Sequence, residues 1–299
     1  MKRNNLIVIL ALMMAALPIM AQQGDAPQVK IVPLRGQVHH VSGTVGGNIV
    51  AQIGPEGILL IDAGSVAAHQ PLIRKALDSR STKPVKYLIN THWHHDHTTG
   101  NVPWGEAGAK IIAHENVAKR LKVEQHITFL EQRVAPLPPA GIPVNPFKDV
   151  RTLQFNQEKI DIMHVAPGHT DGDAIVYFNE ANVVHMGDLY FNGLYPYIGI
   201  SSGGSIRGMI DVIGRLIGDM DDQTIVVPGH GPVSNKAELA NYLTLLTEVR
   251  NAILPMVNAG KGLEEVIAAK PTAKFDANWG QLWLKGDDFA RLVYLDLSR

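Results

Sequence analysis

The chain has 299 residues, 45% of them hydrophobic and 18% charged, with 27 Lys and Arg against 28 Asp and Glu and no cysteine. That length suits one large α/β domain or two small ones, and the near-balanced charge excludes the basic face that nucleic acid requires. The lack of cysteine excludes disulfides, thiol nucleophiles and thiolate ligands together, so a bound metal must be held by nitrogen and oxygen.

The chain opens on MKRNN, with Lys2 and Arg3, followed by an apolar run from Leu6 to Met20 and then Ala21 before a polar segment. This is the pattern of a secretory leader, with cleavage expected after Ala21. The run is short against the roughly 20 residues that span a bilayer. Removing residues 1–21 leaves 25 basic and 28 acidic residues, a mature charge of −3. Residues 22–299 are expected to form a single exported domain, periplasmic or secreted, with 259–299 as a C-terminal helical extension packed on it.

Along the mature chain, Asn48–Ile53 and Gly57–Ile61 read as strands joined by the turn Gly54-Pro55-Glu56, and Val66–Ser79 has helical periodicity. A β-rich run, Val85–Asn90, feeds into the stretch THWHHDHTTGN (Thr91–Asn101), followed by a strand at Lys110–Ala113 and a helix over Asn116–Glu124. The Pro-rich Pro136–Pro146 reads as a surface loop. Strands resume at Lys159–Val165, Ala174–Phe178, Asn182–Met186 and Thr224–Val227, with helices over Ser205–Asp219, Ala237–Asn258 and Leu263–Ala269. The aromatic tail Asn278–Leu297 reads as packing on the domain.

Four of these strands end in residues of ligand type: HWHHDH after Val85–Asn90, APGHTDGD after Lys159–Val165, GDLYF after Asn182–Met186 and PGHG after Thr224–Val227. Loops at one edge of a rigid sheet are where α/β proteins gather their chemistry. In a tight loop alternating residues point the same way, so His92 and His94 would share one ion while Asp96 and His97 turn toward a second. His169, Asp188 and His230 supply what two such sites still lack.

These motifs, in this order, resemble the metallo-β-lactamase superfamily of hydrolases, over about Ile31 to Leu254. The resemblance implies a first metal on His92, His94 and His169, a second on Asp96, His97 and His230, and Asp188 bridging the two. Asp62, in LLIDAG, matches a position that supports the ligand loop. The implied fold is α/β (α+β), a four-layer αβ/βα sandwich of two mixed β-sheets flanked by helices, with the metals at one edge. The two halves of the chain look alike, which suggests a duplication.

Five imidazoles and two carboxylates suit two Zn²⁺ ions, although the same donors accept iron or manganese. The chemistry expected is hydrolysis by a metal-bridging hydroxide, with Asp96 as the catalytic residue that orients it. No G-x-S-x-G elbow offers a covalent alternative. The bond cleaved is expected to be a small amide or ester, in a β-lactam, lactone, ester or thioester. Cysteine-ligand β-lactamases are excluded, glutathione thioesters lack an evident basic cluster to bind them, and His94 counts against the oxygen-using diiron branch. The alternative is a periplasmic metal-binding accessory or relay protein without turnover.

The partner is then a small-molecule substrate, with no nucleic acid and no membrane contact after leader removal. Trp93, Trp104, Tyr190, Phe191, Tyr195 and Tyr197 are the expected pocket walls. The Ser201–Ser205 stretch, SSGGS, opens a helix whose N-terminus would hold a carboxylate, and Arg207 and Lys285 are candidate anion anchors. Trp93, Tyr195, Ser205 and Arg207 form the expected substrate contacts. His95 is expected to face solvent or the loop backbone, and His114, His164 and His185 to be structural.

Overall fold

The computed structural model describes residues 28–299, so the leader expected at 1–21 lies outside the described residues. The first half forms a six-stranded sheet: β1 (Lys30–Arg35), β2 (Val38–Ser42), β3 (Ile49–Gly54), β4 (Gly57–Ile61), β5 (Val85–Ile89) and β6 (Lys110–Ile112), paired in that order. A short hairpin follows, β7 (Gln125–Ile127) and β8 (Gln132–Val134). The second half forms another six-stranded sheet from β9 (Val150–Phe155), β10 (Glu158–His164), β11 (Ala174–Phe178), β12 (Val183–His185), β13 (Ile225–Val227) and β14 (Ser234–Asn235). The helices are α1 (Gln70–Asp78), α2 (His95–Thr98), α3 (Asn101–Glu106), α4 (Glu115–Arg120), α5 (Ile206–Asp219), α6 (Lys236–Asn258), α7 (Leu263–Ala268), α8 (Asp276–Trp279) and α9 (Gly286–Leu297).

The halves do share a plan. Each sheet begins with a four-stranded antiparallel meander, β1–β4 and β9–β12, and then adds a parallel strand, β5 or β13. In consequence β4 and β5, and likewise β10, β12 and β13, all run the same way within their sheets. Their C-terminal ends are where the ligand residues lie.

Side-chain alternation explains the layering. Strand GILLI of β4 is buried throughout because its two faces enter different cores. Leu59 and Ile61 meet Ile160, Ile162 and Val176 between the sheets. Ile58 and Leu60 turn outward onto Ile73, Leu77 and Trp104, under α1 and α3. The outer face of the second sheet is covered by α5, α6 and α9, with Met209, Leu246 and Phe289 in one cluster. Helix, sheet, sheet and helix therefore stack as four layers, and the segments beyond residue 258 join the outer core of the second half.

Polar clips fix the two sheets relative to each other at the edge that carries the ligands. Asn48 donates through Nδ2 to the carbonyls of Pro228 and Gly231, each at 2.9 Å, and its backbone N–H reaches Gly229 O at 2.7 Å. The Ala174 N–H donates to Thr91 O at 2.7 Å, which ties the histidine loop to β11.

Several elements depart from the sequence expectation. The helix at Val66–Ser79 starts later, at Gln70, where Pro71 sits in its first turn, preceded by a 3₁₀ turn at Ala67–His69. The helix expected to reach Glu124 ends at Arg120, and the chain then turns into the β7–β8 hairpin, which lacks the length of a legible alternation. The Pro136–Pro146 loop is not a free excursion. Asn101 Nδ2 donates to Gly141 O at 3.0 Å and Gly141 is buried.

Candidate metal centre

Three loops, the short helix α2 and a 3₁₀ turn at Gly187–Leu189 bring seven donors together. His92, His94, His169 and Asp188 form one buried group, and Asp96, His97, Asp188 and His230 a second, with the potential ligand atoms of each group within 4.8 Å of one another. Asp188 divides its carboxylate between them. Its Oδ2 lies 3.6 Å from His92 Nε2 and 3.5 Å from His169 Nε2, while its Oδ1 lies 3.0 Å from His97 Nε2 and 3.5 Å from His230 Nε2. Asp96 Oδ2 is 3.1 Å from His230 Nε2 and 3.7 Å from His97 Nε2.

The hydrogen bonds on the far sides of the rings establish which nitrogens are bare. His169 Nδ1–H donates to Tyr197 O at 2.8 Å, so its Nε2 is a lone pair. His97 Nδ1–H donates to Asp62 Oδ2 at 2.7 Å, which leaves Nε2 turned toward the carboxylates of Asp188 and Asp96. The Thr91 hydroxyl donates to Asp62 Oδ2 at 2.8 Å, and His92 Nδ1–H in turn donates to Thr91 Oγ1 at 3.0 Å. Asp62 thus orients one histidine of each group, one directly and one through Thr91.

Ring nitrogens then converge on one another. His94 Nδ1 lies 3.0 Å from His92 Nε2 and 2.8 Å from His169 Nε2, and His97 Nε2 lies 3.3 Å from His230 Nε2. Asp188 Oδ1 is buried with no hydrogen-bond donor. The bare Nε2 atoms of His92 and His169 and the undonated Oδ1 of Asp188 converge there, an arrangement that a cation among them would hold. Four ligands at 2.0–2.1 Å around a tetrahedral ion are about 3.3 Å apart, close to these separations. The donor set fits two divalent ions.

Burial agrees with that use at the first group. At the second, burial lowers the pKa values of His97 and His230, but the carboxylates of Asp188 and Asp96 outweigh it and push both up, His230 to about 9, so a metal there would displace protons. Loss of water holds the pKa values of His92, His94 and His169 below the usual imidazole range, which keeps them in the neutral form that ligates. Asp188 and Asp96 stay ionised. Burial raises each, but the surrounding histidines, His230 and His97 foremost, pull both well below the ordinary carboxylate value.

Two glycines are required by close approach. A Cβ on Gly47 would strike the His97 ring, and one on Gly229 would strike Asp188 Oδ1. The loop bearing His169 is braced elsewhere: buried Asp173 accepts from Thr170 N–H at 2.9 Å, and Asp171 receives Arg120 Nε and Nη2 at 2.8 and 2.7 Å. Neither carboxylate orients an imidazole, although the Asp173 carbonyl accepts from His164 Nδ1–H at 2.9 Å. His185 joins the frame, its Nε2–H donating to Asn48 O and its Nδ1 accepting from Gly187 N–H, each at 3.1 Å. His114 caps α4 and stacks on His164, centroids 3.5 Å apart.

A cavity of ≈ 240 Å³ opens on the centre, lined by His94, His95, Asp96, Asp188 and His230 on one side and by Ile127, Leu130, Gln132, Tyr197 and Trp283 on the other. This corrects the expected walls, of which Tyr197 alone remains. Trp93 and Trp104 are buried in cores, Tyr190 bonds Ser234, and Phe191 stacks under His230 at 5.1 Å, where it fixes that ring. Tyr195 is buried against Phe289, its hydroxyl donating to Asp276 at 2.8 Å. His95 lines the cavity instead of facing away.

The expected anion site at the start of α5 is also corrected. Asp296 of α9 already accepts from Ile206 N–H at 2.7 Å and from the Ser205 hydroxyl at 3.3 Å, so the helix N-terminus has its carboxylate. Gly203, at φ +84°, makes the turn. Arg207 is exposed and does not line the cavity, and Lys285 caps α9. The residues missed, Ile127, Leu130, Gln132 and Trp283, come from a short hairpin and from the aromatic tail. Trp283 gave the available signal, a tryptophan amid QLWLKGDD, where a polar loop has no core for it to join.

Among known proteins, the chain is 23% identical over 274 residues to the 2,4-dinitroanisole O-demethylase subunit alpha of Nocardioides sp. (strain JS1661), covering 90% of this chain and 78% of that one. It is 23% identical over 214 residues to a metallo-beta-lactamase type 2 of Bacillus sp. (strain 170), covering 70% and 78%. A solved metallo-beta-lactamase from Pontibacter korlensis shares the fold with a TM-score of 0.58 and 22% identity, over 74% of this chain and 99% of that one. The family model described as the metallo-beta-lactamase superfamily matches residues 42–234, the span that carries all seven donors. On that match, which takes in more than half of its length, the chain belongs to the metallo-beta-lactamase superfamily.

Proposed function

We propose that this chain is an exported binuclear zinc hydrolase that cleaves a small amide or ester bond. The observation that carries the reading is the pair of donor groups sharing Asp188 at the floor of an open cavity. His92, His94, His169 and Asp188 would hold one zinc, and Asp96, His97, His230 and Asp188 the other. When bound, two such ions supply Lewis acidity and lower the pKa of water toward neutrality.

The protein's part is placement. Asp96, a quarter exposed and on the cavity wall, orients the attacking water through its carboxylate and passes a proton to the leaving group. The new bond joins the water oxygen to the carbonyl carbon as the carbon–nitrogen or carbon–oxygen bond breaks. Ile127, Leu130 and Trp283 add apolar surface to the lining of the same cavity. Export is supported by the leader pattern of residues 1–21.

The test is turnover of a chromogenic cephalosporin beside lactone, ester and thioester panels, with metal content by mass spectrometry and Asp96→Ala as control. One aryl ether, 2,4-dinitroanisole, belongs in the panel because a relative is named for its demethylation. The expected result is two zincs per chain and hydrolysis of an amide or ester that is lost in the variant. Two zincs with no turnover on any substrate would overturn the hydrolase reading in favour of an accessory protein.

A further inference from the structure

The cavity over the metal centre carries its charge on one wall. The ligands and His95 form that wall, and Ile127, Leu130, Tyr197 and Trp283 face it, with no lysine or arginine in the lining among the described residues. Arg120, the cation braced against the His169 loop, is committed to Asp171 through two bonds. A carboxylate carried on the substrate away from the scissile bond would therefore lose its water without gaining a cation.

A second cavity of ≈ 410 Å³ lies against the first. Its lining is Thr128, Phe129, Tyr197, Ile200, Ser201 and Leu295, with no charged group. The partition between the two is Tyr197 together with the turn after β7. In that turn Ile127 and Leu130 look into the first cavity, and Thr128 and Phe129 into the second. Both apolar walls draw on segments beyond the matched family region, since Trp283 and Leu295 come from the C-terminal segment.

Resting on the hydrolase reading of the centre, we propose that the substrate is neutral away from the scissile bond and carries an apolar arm. The arm lies between Leu130 and Trp283, and longer arms pass Tyr197 into the cavity bounded by Phe129 and Leu295. Hydrocarbon there leaves water for apolar contact, while an ionised terminus does not.

The experiment is calorimetric binding of straight-chain methyl ketones to the zinc-loaded protein. These have a carbonyl and no leaving group, so binding is read without turnover. Affinity is expected to rise about three- to four-fold per methylene, and ketones of equal length ending in a carboxylate to bind about tenfold or more weakly. Trp283→Ala weakens the whole series. Leu295→Glu, at a residue 41% exposed and so tolerant of charge, weakens the long ketones alone. Affinity independent of chain length, carboxylates that bind as tightly as ketones, or long ketones indifferent to Leu295→Glu would each overturn the proposal. Ketone binding without hydrolysis of any substrate would sink the function above, and with it the scissile bond, and leave standing only the cavity's preference for a neutral ligand with an apolar arm.

Discussion

Asp62→Asn is the substitution whose outcome follows most directly from the hydrogen-bond network. Asp62 is fully buried and accepts three bonds: Thr91 N–H on Oδ1 at 2.8 Å, and the Thr91 hydroxyl and His97 Nδ1–H on Oδ2 at 2.8 and 2.7 Å. Its φ is +60°, a conformation asparagine tolerates, so backbone strain is not the perturbation. An amide offers one acceptor where three donors converge. With its oxygen toward Thr91 and His97, its NH₂ opposes the Thr91 N–H, and a buried unpaired donor costs about 1–3 kcal/mol.

With the amide reversed, its NH₂ needs a bare His97 Nδ1. The proton then moves to Nε2, the atom that faces Asp188 and His230. Either orientation also forfeits the charge of the acceptor. The expected result is therefore a loss of about 2–4 kcal/mol in the metal-free protein and a roughly 10–100-fold loss of zinc affinity, larger at the Asp96–His97–His230 group. A competition titration against a chromophoric chelator reads both sites, and a thermal melt of chelated protein reads stability, at about 2–4 °C per kcal/mol. Wild-type affinity at both sites with an unchanged melting temperature would refute the tautomer assignment.

Removal of metal should itself lower the melting temperature, because the bare nitrogens of His92 and His169 and the Asp188 carboxylate are left converging without a cation. A metal at a thousand times its Kd contributes about 4 kcal/mol, and calorimetry with and without chelator would show no difference if the donors are not ligands. His185 gives a pH signature. Burial pushes its pKa down from 6.5 to about 4, so between those values the unfolded chain binds more protons than the folded one. Stability contributed by neutral His185 is then complete above pH 6.5 and lost as pH falls toward 4, by at most about 3 kcal/mol. Melting curves of the wild type and His185→Gln across that range should converge at low pH; parallel curves would contradict the assignment. Leu59→Ala, between the sheets at no exposure, should cost about 2–5 kcal/mol by chemical denaturation.

The donors were legible in the sequence because each follows a strand directly. Backbone geometry then leaves little freedom between the end of β5 and His92, or between β13 and His230, and the resemblance of the ordered motifs to the metallo-β-lactamase superfamily implies which ion each would hold. The substrate walls were not legible for the converse reason. Ile127 and Leu130 belong to a hairpin of three-residue strands, too short to show a period, and Trp283 reaches the centre from the far end of the chain. The aromatic residues nearest the motifs, Trp93, Tyr190, Phe191 and Tyr195, were instead taken by the core. Apart from His95 and Gly231, adjacency in sequence to a ligand means burial here, since the ligand loops are themselves packed: His92, His97 and His169 are each no more than 1% exposed. A site that must hold its donors rigidly beneath a cavity cannot spend neighbouring side chains on that cavity's opposite wall. That wall has to come from elsewhere in the chain, from segments free of the metal's geometry. A centre inside the matched span and a wall partly outside it are thus separable in this fold. The family match through residue 234 speaks to the first, and the contacts of Trp283 and Leu295 bear on the second.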